Sequence, residues 1–449
     1  MSEQAVLPEM PAAGKASPKP PVPLGAQRVR RPVRNQVELV PRTLDDLVPA
    51  DHPARAIWAL LERLDLEAFY AKIRAAIDGP GRAASDPKVL LALWLLATTE
   101  GIGRARRLAR LTEEHDAYRW LRGGVPLNHQ LLSDFRTAHP TAVDDLLTET
   151  AAVLLHAGAI TLERVAQDGV RVRANAGASS FRRRETLEQC LSEAWDQVER
   201  LARERETPDP TRSRRQRAAQ ERAARERQAR IEQALEALPA LEAIKAQQRQ
   251  KLATGKRERV KEARVSTTDP EARVMKTGDG GFRPAYNIQL ATDGDSRAIV
   301  GVQVSQQGSD GGLAPPLETQ VVERLGQHPR EYLIDGGLVT HETVTTLAGH
   351  GVTVYAPVKP PRAETQERTA YEPRPDDPPA VADWRARMGT PAGQTIYRQR
   401  SALAEWTNAQ LRTCHGLQQL PVRGLARVTS VVLLLAVTHN LLRILALGL

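Results

Sequence analysis

Between Asp51 and about Ala157 the apolar residues recur with the period of an α-helix, and at Ile160 the period changes to two. A chain patterned this way must build helices first and a sheet afterwards. Ile57, Leu60, Leu61 and Leu64 show the i, i+3, i+4, i+7 face. Asp51 or His52 ahead of Pro53 reads as a helix start, and Ser85-Asp86-Pro87 opens a long apolar helix over Val89 to Ala97. Shorter segments follow: Arg104 to Leu111, Asp116 to Leu121 and, past a turn at Gly123-Gly124-Val125-Pro126, Asn128 to Ala138. Three short helices in a row suit a helix-turn-helix variant with Asn128, His129, Gln130 and Arg136 at a groove. A plain helical scaffold with solvated arginines fits the same pattern equally well.

Thr161 to Asn175 alternates as a strand, broken by Gly169 so that Asp168 projects at its end. A charged helical stretch from 182 to about 262 then interrupts the sheet. Leu187, Leu191, Trp195 and Val198 form its first stripe, Pro208 and Pro210 break it, and Ile231, Leu235, Leu238 and Leu241 resume it, which predicts an antiparallel helical hairpin. Between Thr211 and Arg230 eight Arg face two Glu, an imbalance that either solvates a face or seats nucleic acid. Pro284 to Thr292, a turn at Asp293-Gly294-Asp295 and Ala298 to Val304 make a hairpin. A helix around Leu317 to Leu325, a strand Arg330 to Ile334 ending in Asp335-Gly336-Gly337, a helix His341 to Ala348 and a strand Val352 to Ala356 follow. A Pro-rich loop, Pro357 to about Pro391, leads to a helix over Tyr397 to Arg412, which contains neither Gly nor Pro.

At 449 residues the chain has material for two or three domains. Its formal charge of +9, from 63 Lys+Arg against 54 Asp+Glu, favours a polyanionic partner, nucleic acid or an anionic membrane surface. Cys190 and Cys414 stand alone with no CxxC, which disfavours a disulfide framework and a zinc ribbon and points to a reducing, cytoplasmic home. No signal-peptide pattern opens the chain. The apolar run Val428 to Leu449 contains Thr438, His439, Asn440 and Arg443, so it reads as a terminal core helix with no membrane span. Residues 1 to 36 read as a disordered basic arm with Arg28, Arg30, Arg31 and Arg34, either a solvated tail or a phosphate-tracking one.

Three antiparallel strands followed by strands joined through helices make a mixed α/β sheet covered by helices. In such a sheet Asp168 and Asp335 can sit at the carboxyl ends of neighbouring parallel strands, with Glu405 brought from a helix packed across them. Three converging carboxylates repel unless cations neutralise them, and all-oxygen ligands suit Mg²⁺ or Mn²⁺. Paired ions about 3.5–4 Å apart promote phosphoryl displacement. Simpler readings stay open: Asp168 and Asp335 as turn-forming acids before glycine, and Glu405 as a surface partner of Arg400 or Arg412. Asp293 and Asp295 read as hairpin-turn residues, Asp310 as a loop acid, and His415 and His439 as packing or capping residues. The absence of GxxxxGK[ST] and HExxH argues against a nucleotide-driven motor and a zincin.

The chain resembles the DDE transposases of bacterial insertion sequences, which have a ribonuclease H-like catalytic domain. The resemblance is carried in order by Arg34-Asn-Gln-Val-Glu-Leu39, Asp168-Gly-Val-Arg-Val-Arg-Ala-Asn175, Tyr286-Asn-Ile-Gln289, Leu333-Ile-Asp335-Gly-Gly337, the Glu405 helix, Leu420-Pro-Val-Arg-Gly-Leu425 and His439-Asn440-Leu441. It implies Asp168, Asp335 and Glu405 as a metal-binding acidic triad holding Mg²⁺ or Mn²⁺. Tyr397, Arg400 and Arg412 would fill a Tyr-Arg-Glu-Lys-type signature that holds the element's DNA end. Four residues separate Arg400 from Glu405 where the commonest signature has three, and Leu338 stands where many relatives have tyrosine.

The implied activity is metal-dependent cleavage at the element's ends and strand transfer on double-stranded DNA by a homodimer. The expected domains are the arm at 1–36, a helical DNA-binding domain at 37–158, the ribonuclease H-like domain at 159–181 and 265–427, the insertion at 182–264 and the terminal helix at 428–449. Two rivals remain: a nuclease of the same fold that cuts without joining, and a degenerate DNA-binding remnant. Inverted repeats flanking the gene separate the first from transposition, and Mg²⁺-dependent cleavage excludes the second.

Overall fold

Short-range caps set the first helices where the sequence places them. In the computed structural model, which describes residues 35, 37, 39–71, 73, 83–204, 213–252, 260–359 and 370–449, His52 Nδ1 accepts the amide of Ala54 at 3.1 Å to start α1 (Pro53–Leu61). After the single turn α2 (Glu67–Tyr70), Asp86 accepts the amide of Lys88 at 2.9 Å to start α3 (Pro87–Thr99). The helices α4 (Ala105–Glu114), α5 (Asp116–Arg122), α6 (His129–Ala138) and α7 (Pro140–His156) come next. Gly123 ends α5 with φ of 58°, a left-handed position that costs glycine little, and Asn128 caps α6 through the Leu131 amide at 2.8 Å. The chain falls into two units, Met1–Thr43 and Leu44–Leu449, and the helices and the sheet all belong to the second. The basic arm expected at the start of the chain lies largely outside the described residues.

Alternation then builds β1 (Arg164–Arg173), which runs through Gly169 unbroken, against the expectation that the strand would stop at Asp168. The two-residue strands β2 (Phe181–Arg182) and β3 (Val265–Ser266) pair with each other and close the neck of the interrupting segment. Within that segment α8 (Arg184–Arg203) and α9 (Arg214–Gln250) form the hairpin, with Leu187, Ala234, Leu238 and Val265 as its own small core. Trp195 is exposed, and Ala194 takes the buried position instead. Pro208 and Pro210 lie outside the described residues.

The main sheet adds β4 (Arg273–Lys276), β5 (Phe282–Asp293), β6 (Ile299–Ser305), β7 (Glu331–Leu333) and β8 (Thr353–Tyr355). β5 pairs antiparallel with β4 and β6 and with β1; β1 then pairs parallel with β7, and β7 parallel with β8. Two helices carry the parallel crossovers, α10 (Ala314–Leu325) and α11 (His341–Gly349). Inside the expected Pro-rich loop a helix forms, α12 (Pro379–Gly389), because Pro379 sits at its first turn, where the missing amide costs nothing. α13 (Pro391–Arg400), a π turn (Ser401–Glu405) and α14 (Trp406–Thr413) then run on as one helical rod.

The last helix, α15 (Leu425–Leu447), is long and apolar enough by composition to cross a membrane, yet most of it is buried in the protein. Its Asn440 explains why: Oδ1 accepts the Ile299 amide at 2.8 Å and Nδ2 donates to the Ile299 carbonyl at 2.9 Å, satisfying backbone groups of β6. One continuous core joins Leu91 and Trp94 of α3, Val165 of β1, Leu333 of β7 and Val432 of α15. Each such buried side chain contributes about 1.5–3 kcal/mol, so the helical region and the sheet stabilise one another.

Candidate active site

The parallel pairing of β1 with β7 sets Arg164 opposite Glu331, Val165 opposite Tyr332 and Ala166 opposite Leu333, and there it stops. Asp168 and Asp335 each stand two residues past that last pair, at matching positions where the two strands part. β1 continues because β5 still pairs with it, Asp168 lying opposite Leu290. β7 ends because the carboxylate of Asp335 folds the chain into a turn: its Oδ1 accepts the amides of Gly337 at 2.8 Å and Leu338 at 3.0 Å. Its Oδ2 makes no hydrogen bond among the described residues.

The rod formed by α13, the π turn and α14 packs across this end of the sheet and supplies two partners for Asp168. Asn408 Nδ2 donates to Asp168 Oδ2 at 2.8 Å, and Arg400 Nη1 lies 3.4 Å from Asp168 Oδ1. The arginine contact is held by charge; its geometry is not that of a hydrogen bond, and the buried Nη1 and Asn408 Oδ1 both lack a hydrogen-bond partner. Burial pushes the Asp168 carboxyl above its ordinary range, Arg400 opposes that shift, and the charge of Asp335 adds to it. Burial likewise raises the Tyr397 hydroxyl beside Arg400.

The π turn explains how residues eight apart meet one carboxylate. Two α-helical turns take about 7.2 residues, so Arg400 and Asn408 would be out of register in a regular helix. A turn bonded i→i+5 takes one residue more and absorbs the excess. The turn spans the additional residue that separates Arg400 from Glu405, so a spacing visible in the sequence acquires its meaning from the helix geometry.

Glu405, at the end of that turn, is exposed and makes no hydrogen bond or ion pair among the described residues. It pairs with neither Arg400 nor Arg412, so the surface ion-pair reading has no support, and it does not contact Asp168 or Asp335 through any polar group. The fold thus brings Asp168, Asp335, Arg400 and Tyr397 together, adds Asn408, and leaves Glu405 one turn along the rod.

Asp310, a loop acid by its sequence, has a larger part. It is buried, and from the face opposite Asp168 it receives Asn287 Nδ2 at 2.7 Å, Gln289 Nε2 at 2.9 Å and Arg171 Nη2 at 2.6 Å. A Cβ on Gly337 would lie 3.2 Å from both Asp310 Oδ2 and Asp335 Oδ1, and one on Gly169 would lie 2.1 Å from Gln289 Nε2. These two glycines let a saturated polar network support both acid-bearing segments. Its signal in the sequence is polar Gln167, Asn287 and Gln289 inside otherwise apolar strands. Asp293 is a turn residue as expected, accepting the Ser296 amide at 2.9 Å. Arg136, expected at a groove, is buried against the Trp94 ring at 4.3 Å and donates to the Gly103 carbonyl at 2.6 Å.

Beside Gly169 opens a groove of roughly 540 Å³ lined by Arg171, Arg173, Lys276, Asp279 and Arg412. Arg171 is committed to Asp310 and Arg173 to Asp279, whereas Lys276 and Arg412 carry no ion pair among the described residues. The donor set at the strand ends fits a hard divalent cation: two carboxylates at matched register, a free Asp335 Oδ2 and the unpartnered amide oxygen of Asn408 are all oxygen.

A family model described as a transposase domain (DUF772) matches residues 42–138, and one described as a transposase DDE domain matches residues 362–445. The chain is a DDE transposase of insertion-sequence type. No curated protein and no solved structure matches it. In this transposase the first match takes in α1 to α6 and the second takes in Tyr397, Arg400, Glu405, Asn408, Arg412 and Asn440. Asp168 and Asp335 lie outside both matches, so their assignment rests on register and contacts. Transposases act on DNA, and those of the DDE type generally use a divalent metal.

Proposed function

We propose that the transposase cleaves the ends of its element and joins them to target DNA through Asp168, Asp335 and Glu405, in a ribonuclease H-like sheet. The observation that carries the proposal is the matched placement of Asp168 and Asp335 past the last parallel pair, beneath the rod bearing Arg400, Glu405 and Asn408. The strand order, in which β5 pairs antiparallel with β4, β6 and β1 and two further strands, β7 and β8, continue parallel to β1, supports the fold assignment. The three acids would hold Mg²⁺ or Mn²⁺, which when bound supply charge neutralisation and an activated oxygen nucleophile.

In the first step a water oxygen bonds to the phosphorus at the element's end, the bond to the 3′ oxygen breaks, and that oxygen leaves as a hydroxyl. In the second, this 3′-hydroxyl loses its proton and its oxygen bonds to a target phosphorus, while the bond to the target's own 3′ oxygen breaks and that oxygen takes up a proton and leaves as a hydroxyl. Both are in-line displacements, so one site serves both. Glu405 has no competing contact and completes the triad on DNA. Arg412 and Lys276 hold the strand in the basic groove, with Tyr397 and Arg400 placing the element's end. The helical domain at 37–158, the basic insertion at 182–264 and the arm at 1–36 add DNA affinity, the helix at 428–449 packs the core, and two chains act together in the cytoplasm.

The test is Mg²⁺-dependent cleavage and joining of DNA carrying the native element ends. Loss of both reactions in Asp335→Ala and Glu405→Gln with DNA binding retained supports the assignment; cleavage that survives Glu405→Gln removes Glu405 from the triad, and cleavage without joining makes the protein a nuclease.

A further inference from the structure

We propose that Glu318, His328 and His350 form a second metal site, of the zinc class, independent of the strand-end carboxylates. Glu318 on α10 is fully buried, and among the described residues no lysine or arginine pairs with it. A buried carboxylate left uncompensated costs several kcal/mol. Its partners are two imidazoles: His328 Nδ1, from the connection into β7, lies 2.5 Å from Oε1, and His350 Nδ1, just past α11, lies 2.9 Å from Oε2.

The three donor atoms all fall within 4.8 Å of one another, and the two rings stand 5.3 Å apart. Ligands about 2.0–2.1 Å from a tetrahedral zinc lie about 3.3 Å from each other, so both contacts need to open by less than 1 Å or so. The histidines are partly exposed and can make that movement, while the carboxylate is held in place by burial. Their exposed side also leaves a fourth position to solvent. Two imidazole nitrogens and one carboxylate oxygen suit zinc, cobalt or nickel and discriminate against Mg²⁺, which prefers oxygen alone. The ion would tie the first half of α10, the lead-in to β7 and the end of α11 together, on either side of the strand that leads to Asp335.

The full-length protein, stripped with a chelator, is titrated with Zn²⁺ by calorimetry and with Co²⁺ by visible absorption. One zinc per chain with a raised Tm, and an intense cobalt band of a four-coordinate nitrogen-containing site, are expected. Both should persist in Asp335→Asn and be lost in His328→Ala and His350→Ala. No uptake by the parent, only the pale spectrum of a six-coordinate all-oxygen cobalt, or uptake unchanged in the double histidine variant would overturn the site. The histidines would then be hydrogen-bond partners of Glu318 alone.

Discussion

Asp168 and Asp335 hold the same place in two adjacent parallel strands, each two residues past the last backbone pair. Their carboxylates therefore face a shared space without being consumed by the ladder. Asn408 and Arg400 supply the balancing donor and charge on the Asp168 side.

This arrangement sets activity against stability. Asp168 has a raised carboxyl pKa because it is buried, so the fold binds its proton more tightly than the unfolded chain does. Stability from this group is greatest at acid pH and falls as pH rises through the window above the ordinary aspartate value of about 3.9. Asp168→Asn should raise Tm at pH 7, lose that advantage below about pH 4, and reduce cleavage at least about 10³-fold, since several kcal/mol of charge stabilisation depend on a metal ligand. Thermal scans across pH and a cleavage assay decide it; a variant less stable than the parent at pH 7 would contradict the reading.

Gly169 is needed because the Gln289 amide occupies the space of a Cβ. That amide is buried and fixed by Gln167, Asn287 and Asp310. Gly169→Ala should cost about 1–3 kcal/mol through broken hydrogen bonds in the network. Adding Gln289→Ala should recover part of the loss, and denaturant unfolding of the two variants checks the coupling.

Deleting exposed Ala402 should convert the π turn to a regular one while keeping Arg400 and Asn408 on the Asp168 side. We expect Tm within about 4 °C of the parent and cleavage retained. Deletion of Ala409 instead, inside regular α14, rotates everything after it and should abolish activity. Equal damage from both deletions would refute this role of the π turn.

Arg412 lines the groove without an ion pair among the described residues, so its charge is available to a phosphate. Arg412→Ala should weaken DNA binding across sequences and lower the salt slope by about 1. Arg171→Ala should act differently, because Arg171 serves Asp310; its main effect should fall on stability and cleavage, with little change in slope.

His439 is held neutral, its pKa pushed down to about 4 by burial, while its Nε2 meets the Arg297 carbonyl at 2.9 Å. The unfolded chain binds a proton near the ordinary value of 6.5, so stability is lost as pH falls from 6.5 towards 4 and levels off below that. The window contributes on the order of 3 kcal/mol. His439→Gln should flatten the dependence of Tm on pH across it; an unchanged slope would place the titration elsewhere.

Local chemistry is readable along the chain. Caps at His52, Asp86 and Asn128, the change of period at Ile160, the hairpin around Asp293 and the turn at Asp335 all follow from interactions within a few residues. Contacts between distant segments carry no such signal. Nothing near Ala166 announces that it pairs with Leu333, and nothing near Arg400 announces the π turn that lines it up with Asn408. Arg136 is identical in sequence terms to a surface arginine, and only packing against Trp94 buries it. Period and capping are properties of neighbours along the backbone, whereas register, burial and the meeting of charges depend on which remote surfaces close together. That closure put Asp310 beneath both acid-bearing segments and left Glu405 facing solvent.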